Sequence, residues 1–65
     1  MHIDMFQKIR LKNGMIGRVI EIFNDGEAYM IDIKLPDGEY RQETIYPKDI
    51  KSVIREVEDL FVVAV

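Results

Sequence analysis

The chain has one histidine, His2, one serine, Ser52, and no cysteine. Nucleophilic catalysis needs a nucleophile held against a base. With no thiol available, Ser52 and His2 are the only residues for a Ser–His pair. His2 stands at the extreme N-terminus, where chains are ordinarily mobile. It therefore reads as an exposed terminal residue and not as a base. Without cysteine there is also no thiolate to hold zinc and no disulfide to staple the fold. Carboxylates are plentiful: Asp25 and Glu27 flank Gly26, and Asp37 and Glu39 flank Gly38. Each Asp-Gly-Glu offers two ligands, whereas calcium takes about six to eight oxygens. Turn chemistry accounts for both triplets better, with Asp bonding the local backbone and Glu in water. Glycoside chemistry needs two carboxylates facing one another in a cleft, and a domain this small rarely has room for one. Gly14 and Gly17 precede an apolar β pattern instead of a helix, so neither builds a phosphate cradle. The expectation is a chain with no catalytic residues, no metal and no cofactor.

The basic residues point to a different chemistry. Lys8, Arg10 and Lys12 share one face of an alternating segment, and Arg18 falls on the next one. A basic β-face with Tyr or Phe nearby can hold RNA. Against this, the formal net charge is −3. Residues 1–23 carry a local +2 and residues 24–65 a local −5. Phosphate affinity requires uncompensated cations, and lysines on a solvated strand face also discourage edge-to-edge pairing. The solvated face is the favoured reading, and RNA binding through Lys8, Arg10, Lys12 and Arg18 is the alternative. Tyr29, Tyr40 and Tyr46 are expected to pack half-buried, with their hydroxyls in water.

The elements that must carry these residues are short strands. Asn13-Gly14, Asn24-Asp25-Gly26, Pro36-Asp37-Gly38 and Pro47 punctuate the sequence at short intervals, and Asn-Gly and Asp-Gly pairs supply the positive φ of tight hairpins. Between them, alternation predicts strands over 6–12, 15–23, 28–35, 39–46 and 50–54. In the second, Ile16, Ile20 and Ile22 share one parity while Val19 and Phe23 share the other. A bulge or burial on both sides produces that mixture. Gly17 suits close approach of another backbone. In the third, Tyr29, Ile31, Ile33 and Leu35 line one face. In the fourth, Tyr40, Gln42, Thr44 and Tyr46 lie opposite Glu39, Arg41, Glu43 and Ile45. Pro47-Lys48-Asp49-Ile50 predicts one turn of 3₁₀ helix. With 65 residues, the chain is a single domain, its barrel spanning about 6–54.

Five short strands with one 3₁₀ turn before the fifth are the layout of an SH3-like small barrel. Gly14-Met15-Ile16-Gly17-Arg18-Val19 resembles the core of a KOW-type segment. Tyr46-Pro47-Lys48-Asp49-Ile50 is similar to the proline-led turn before the final barrel strand. The stretch from Gly17 to Tyr29 also resembles a bacterial family defined only as a domain of unknown function, which pairs a Gly-x-Val strand with an Asp-Gly-Glu-Ala-Tyr hairpin. These resemblances cover roughly residues 6–54. They imply an all-β, five- to six-stranded SH3-like barrel, and through the KOW likeness a link to RNA. They imply no chemistry. The link Lys12-Asn13-Gly14 is too short to build the groove with which SH3 domains take proline-rich peptides.

Residues 55–65 lie outside that pattern. Leu60, Phe61, Val62, Val63, Ala64 and Val65 form an uncharged stretch of high β-propensity, which invites aggregation unless covered. An extra strand, or contact with a partner, would cover it. Leu60, Phe61, Val62, Val63 and Val65 are the candidate partner-binding residues. The stretch is too short to span a membrane, and the N-terminus lacks the pattern of a secretory signal, so no membrane and a cytoplasmic location are expected. The favoured function is a non-catalytic protein-interaction module that self-associates as a homodimer; besides RNA binding, the other alternative is an antitoxin-like or immunity-like partner of a neighbouring gene product.

Overall fold

A computed structural model of the chain describes residues 2–55. They are all-β, with no α-helix among them: β1 (Lys8–Leu11), β2 (Ile16–Phe23), β3 (Ala28–Lys34), β4 (Tyr40–Ile45) and β5 (Ile50–Ile54), with a 3₁₀ turn at Pro47–Asp49 before β5. The strands form one sheet in the order β4-β3-β2-β1-β5, every neighbouring pair antiparallel. The expected strands are all present, each of the first four trimmed by one or two residues at one or both ends. The closed barrel is not observed: the described strands make an open sheet, with β4 and β5 as its edges. The apolar stretch proposed as a sixth strand or partner contact lies outside the described residues.

The hairpin tips follow from turn chemistry. Asn24, Asp25 and Gly26 hold consecutive positive φ values of 45°, 57° and 113°, which suit the Asn-Asp-Gly series. The N–H groups of Gly26 and Glu27 both donate to the Phe23 carbonyl at 3.0 Å. Asn24 Nδ2 donates to Glu27 Oε1 at 3.1 Å. At the next tip the Asp37 carboxylate accepts the Glu39 N–H at 2.9 Å. Both Asp-Gly-Glu triplets thus serve as turns. Among the described residues no cluster of His, Asp or Glu is placed to hold a metal ion.

Strand alternation sends one side chain in two inward. Ile9 and Leu11 of β1, Val19 of β2, Tyr29, Ile31 and Ile33 of β3, Ile45 and Ile50 form one buried cluster, joined by Ile3. Met15, Ile22 and Val53 pack against it. Ile9, Val19 and Ile31 are fully enclosed. Ile45 ends one edge strand and Ile50 begins the other, yet both enter this cluster. The sheet is therefore curled over its core, with its edges joined by the 3₁₀ turn. In that turn the Asp49 carboxylate accepts the Tyr46 N–H at 3.0 Å. The Asp49 carbonyl accepts the Lys12 N–H at 2.9 Å, tying the turn to the end of β1.

The mixed parity of β2 has the expected cause. Val19 pairs with Ile31 and Glu21 with Met30, leaving Ile20 as the extra residue of a bulge. A second irregularity in β5 leaves Lys51 unpaired between Ile50 and Ser52, which face Leu11 and Arg10. The tyrosines depart from expectation. Tyr29 is buried in the core, whereas Tyr40 and Tyr46 are 62% and 50% exposed. Position in the sheet explains the split: Tyr29 is on the inward parity of a central strand, while Tyr40 begins an edge strand and Tyr46 follows its end.

Candidate binding face

The side of the sheet opposite the core is where the cations gather. Lys8 pairs with Arg18, Arg18 with Asp32, and Asp32 with Gln42, while Lys8 also pairs with Ile54 on its other side. One rung thus crosses all five strands with its side chains on the same outward parity. Beside it, Arg10 lies between Ser52 and Ile16, and Lys34 pairs with Tyr40. Lys8, Ile16, Gly17, Arg18, Asp32, Lys34 and Tyr40 line a shallow cleft of about 500 Å³. Three cations and one carboxylate share it, and Arg10 adds a fourth cation on the same side. Glu21, opposite Met30, is the next acidic group along this face.

Arg18 is held in place. Its Nη1 donates to the Phe6 carbonyl at 3.0 Å. Phe6 in turn donates its N–H to the Val19 carbonyl at 2.8 Å, and Val19 donates back to Gln7 at 2.9 Å. The segment before β1 is a closed turn: Gln7 N–H reaches the Asp4 carbonyl, and Asp4 N–H reaches Gln7 Oε1. Phe6 is 63% exposed at its corner, beside the exposed Met5.

Of the four cations singled out by sequence, the structure brings three together. Lys8 and Arg18 line the cleft and Arg10 follows on the same side. Lys12 does not join them. β1 ends at Leu11, so alternation ceases to govern the next residue, and Lys12 turns with Asn13 toward Glu43 and Asp49. There its charge helps to lower the Asp49 pKa. The main cause of that lowering is the hydrogen bond from the Tyr46 N–H, with Lys48 also contributing. Lys34 and Tyr40 take the place of Lys12 in the cleft. Their parity was legible in the sequence, but their nearness to Lys8 and Arg18 depends on the strand order.

The structure does not bring His2 and Ser52 together. His2 is exposed and bonds Asp4 at 2.7 Å, beside a hollow lined by Ile3, Ile22, Asp25, Gly26 and Tyr29. Ser52 is on β5 opposite Arg10 and is not part of that hollow. Leu60, Phe61, Val62, Val63 and Val65 lie beyond the described residues. Comparison of the chain with protein-family models, with curated proteins and with solved structures finds no match.

Proposed function

We propose that this chain is a non-catalytic binding module with an SH3-like small-barrel fold, and that the outward face of its sheet takes a single strand of nucleic acid. The fold assignment is supported by the strand order, by the 3₁₀ turn between the two edge strands, and by the core that both edges share. The functional assignment is carried by one observation: Lys8, Arg18 and Lys34 line an open cleft with an exposed tyrosine at its β4 side. Cations along a groove track a phosphate backbone, and an exposed ring offers a base a stacking platform. A single strand suits this surface better than a duplex, because stacking on Tyr40 requires an unpaired base. The overall charge of −3 opposes binding at a distance. Fluorescence anisotropy with a labelled oligouridylate, titrated with salt, tests the reading. Affinity that falls steeply with salt supports it, and no binding at low salt removes it.

A second reading is a self-associating protein-interaction module. The edges of β4 and β5, open among the described residues, favour it, because an unpaired strand edge is a template for another chain. Equilibrium sedimentation decides this case: a dimer whose contact is broken by proline substitutions in β4 supports it, and a monomer at all concentrations rejects it.

A further inference from the structure

Three non-glycine residues among those described hold positive φ: Asn24, Asp25 and, at 67°, Phe6. Asn and Asp tolerate this region through local side-chain hydrogen bonds. A bulky aromatic there is an outlier, and such strain persists only where the surroundings impose it. They do so here. The Phe6 N–H is bonded to Val19 and its carbonyl to Arg18, and the turn is closed between Asp4 and Gln7. Burial gives no compensation, because Phe6 is the most exposed of the large apolar side chains described. The backbone is thus held in a costly conformation while the ring stands in water, and one of its tethers comes from a cation of the binding cleft.

We infer that Phe6 is a second stacking platform, at the β1–β2 end of the nucleic-acid track, with Tyr40 at the β4 end. The inference rests on the nucleic-acid reading of the cleft and adds to it a residue and an extent. Neighbouring strands are about 4.8 Å apart, so the two residues are separated by three strand spacings, roughly 15 Å measured along the sheet. A strand of several nucleotides fits that interval, with its phosphates over Lys8, Arg18 and Lys34 and a base on each ring. Arg18 then has two tasks: it neutralises phosphate, and it holds the peptide that presents Phe6.

The test uses the full chain and three variants, Phe6→Gly, Phe6→Trp and Lys34→Glu, with a labelled oligouridylate and with heparin, which is anionic but has no bases. Phe6→Gly keeps both backbone tethers and suits the positive φ. It is expected to weaken oligonucleotide binding about ten-fold, to leave heparin binding unchanged, and to keep or raise the denaturation midpoint. Phe6→Trp is expected to restore affinity and to show quenched emission on binding. Lys34→Glu is expected to weaken both ligands. Wild-type oligonucleotide affinity in Phe6→Gly overturns the inference while leaving the cleft reading intact. So does equal loss of oligonucleotide and heparin binding with a lowered midpoint, which marks Phe6 as structural. Conversion of a dimer to a monomer at unchanged oligonucleotide affinity overturns it as well, in favour of a protein contact. If the wild-type chain binds no oligonucleotide at low salt, the cleft reading fails first.

Discussion

Gly17 lies against Ile31 so closely that a β-carbon at position 17 would fall 2.8 Å from Ile31 Cδ1 and 3.0 Å from the Asp32 carbonyl oxygen. Ile31 is fully enclosed, and the Asp32 carbonyl belongs to the adjoining strand backbone. Neither can move without disturbing the core or the β2–β3 ladder. Gly17→Ala is expected to destabilise the fold by about 1–3 kcal/mol through overpacking. Urea denaturation followed by circular dichroism measures it, and an unchanged midpoint would mean that β2 can shift outward.

Ile31 is also the residue whose truncation the domain can least tolerate. A buried Ile→Ala substitution costs about 2–5 kcal/mol, while a core in a chain this short rarely supplies more than about 3–5 kcal/mol in all. Ile31→Ala is therefore expected to be largely unfolded at room temperature. An amide NMR spectrum with collapsed dispersion would show this, and a well-dispersed one would contradict it.

The split between Lys12 and the other cations can be read in salt dependence. Each phosphate contact to a single strand contributes about 0.7 to the slope of log affinity against log salt. Lys34→Gln is expected to reduce the slope by about that amount. Lys12→Gln, at the Asp49 end of the molecule, is expected to leave it unchanged. Equal effects from the two substitutions would place the bound strand elsewhere.

Asp49 gives the fold an acid-sensitive joint. Its pKa is lowered from the ordinary 3.8, first by the Tyr46 N–H and then by Lys48 and Lys12. A carboxyl group whose folded pKa lies below its unfolded one stabilises the fold fully above the unfolded value and loses that contribution as pH falls through the folded one. Asp49 should therefore add stability at neutral pH and progressively less below about pH 3.8. Asp49→Asn keeps an acceptor for Tyr46 but removes the titration. Its denaturation midpoint is expected to vary less than that of the wild type across this acid range. Parallel curves for the two proteins would locate the acid response in other carboxylates.

The hairpins were legible in the sequence because their chemistry is local. Asn24-Asp25-Gly26 and Asp37-Gly38 dictate their own backbone, and alternation in β1 and β3 separates Ile9, Leu11, Ile31 and Ile33 from the outward residues. The bulge at Ile20 announced itself as a break in parity. What depends on more distant neighbours was not legible. Tyr29 and Tyr40 belong to the same residue type with opposite fates, because the pairing of β4 with β3 sets Ile45 inward beside Tyr29 and Tyr40 outward beside Lys34. Lys12 looked like a continuation of Lys8 and Arg10 because nothing in the local pattern marks Leu11 as the last strand residue. The positive φ of Phe6 had no signal at all, since turns of this kind ordinarily advertise themselves with glycine or asparagine.

The rung that sets Lys8 beside Ile54 joins positions from opposite ends of the described chain. By contrast, the β1–β2, β2–β3 and β3–β4 pairings each join strands consecutive in sequence. The meander closes short loops, whereas docking β5 on β1 closes nearly the whole domain at once and carries the largest entropic toll. β5 therefore acts as the clasp of the fold. Because it grips the same short strand that contributes Lys8 and Arg10, loosening the clasp would leave the cationic row held only through the β1–β2 pairing.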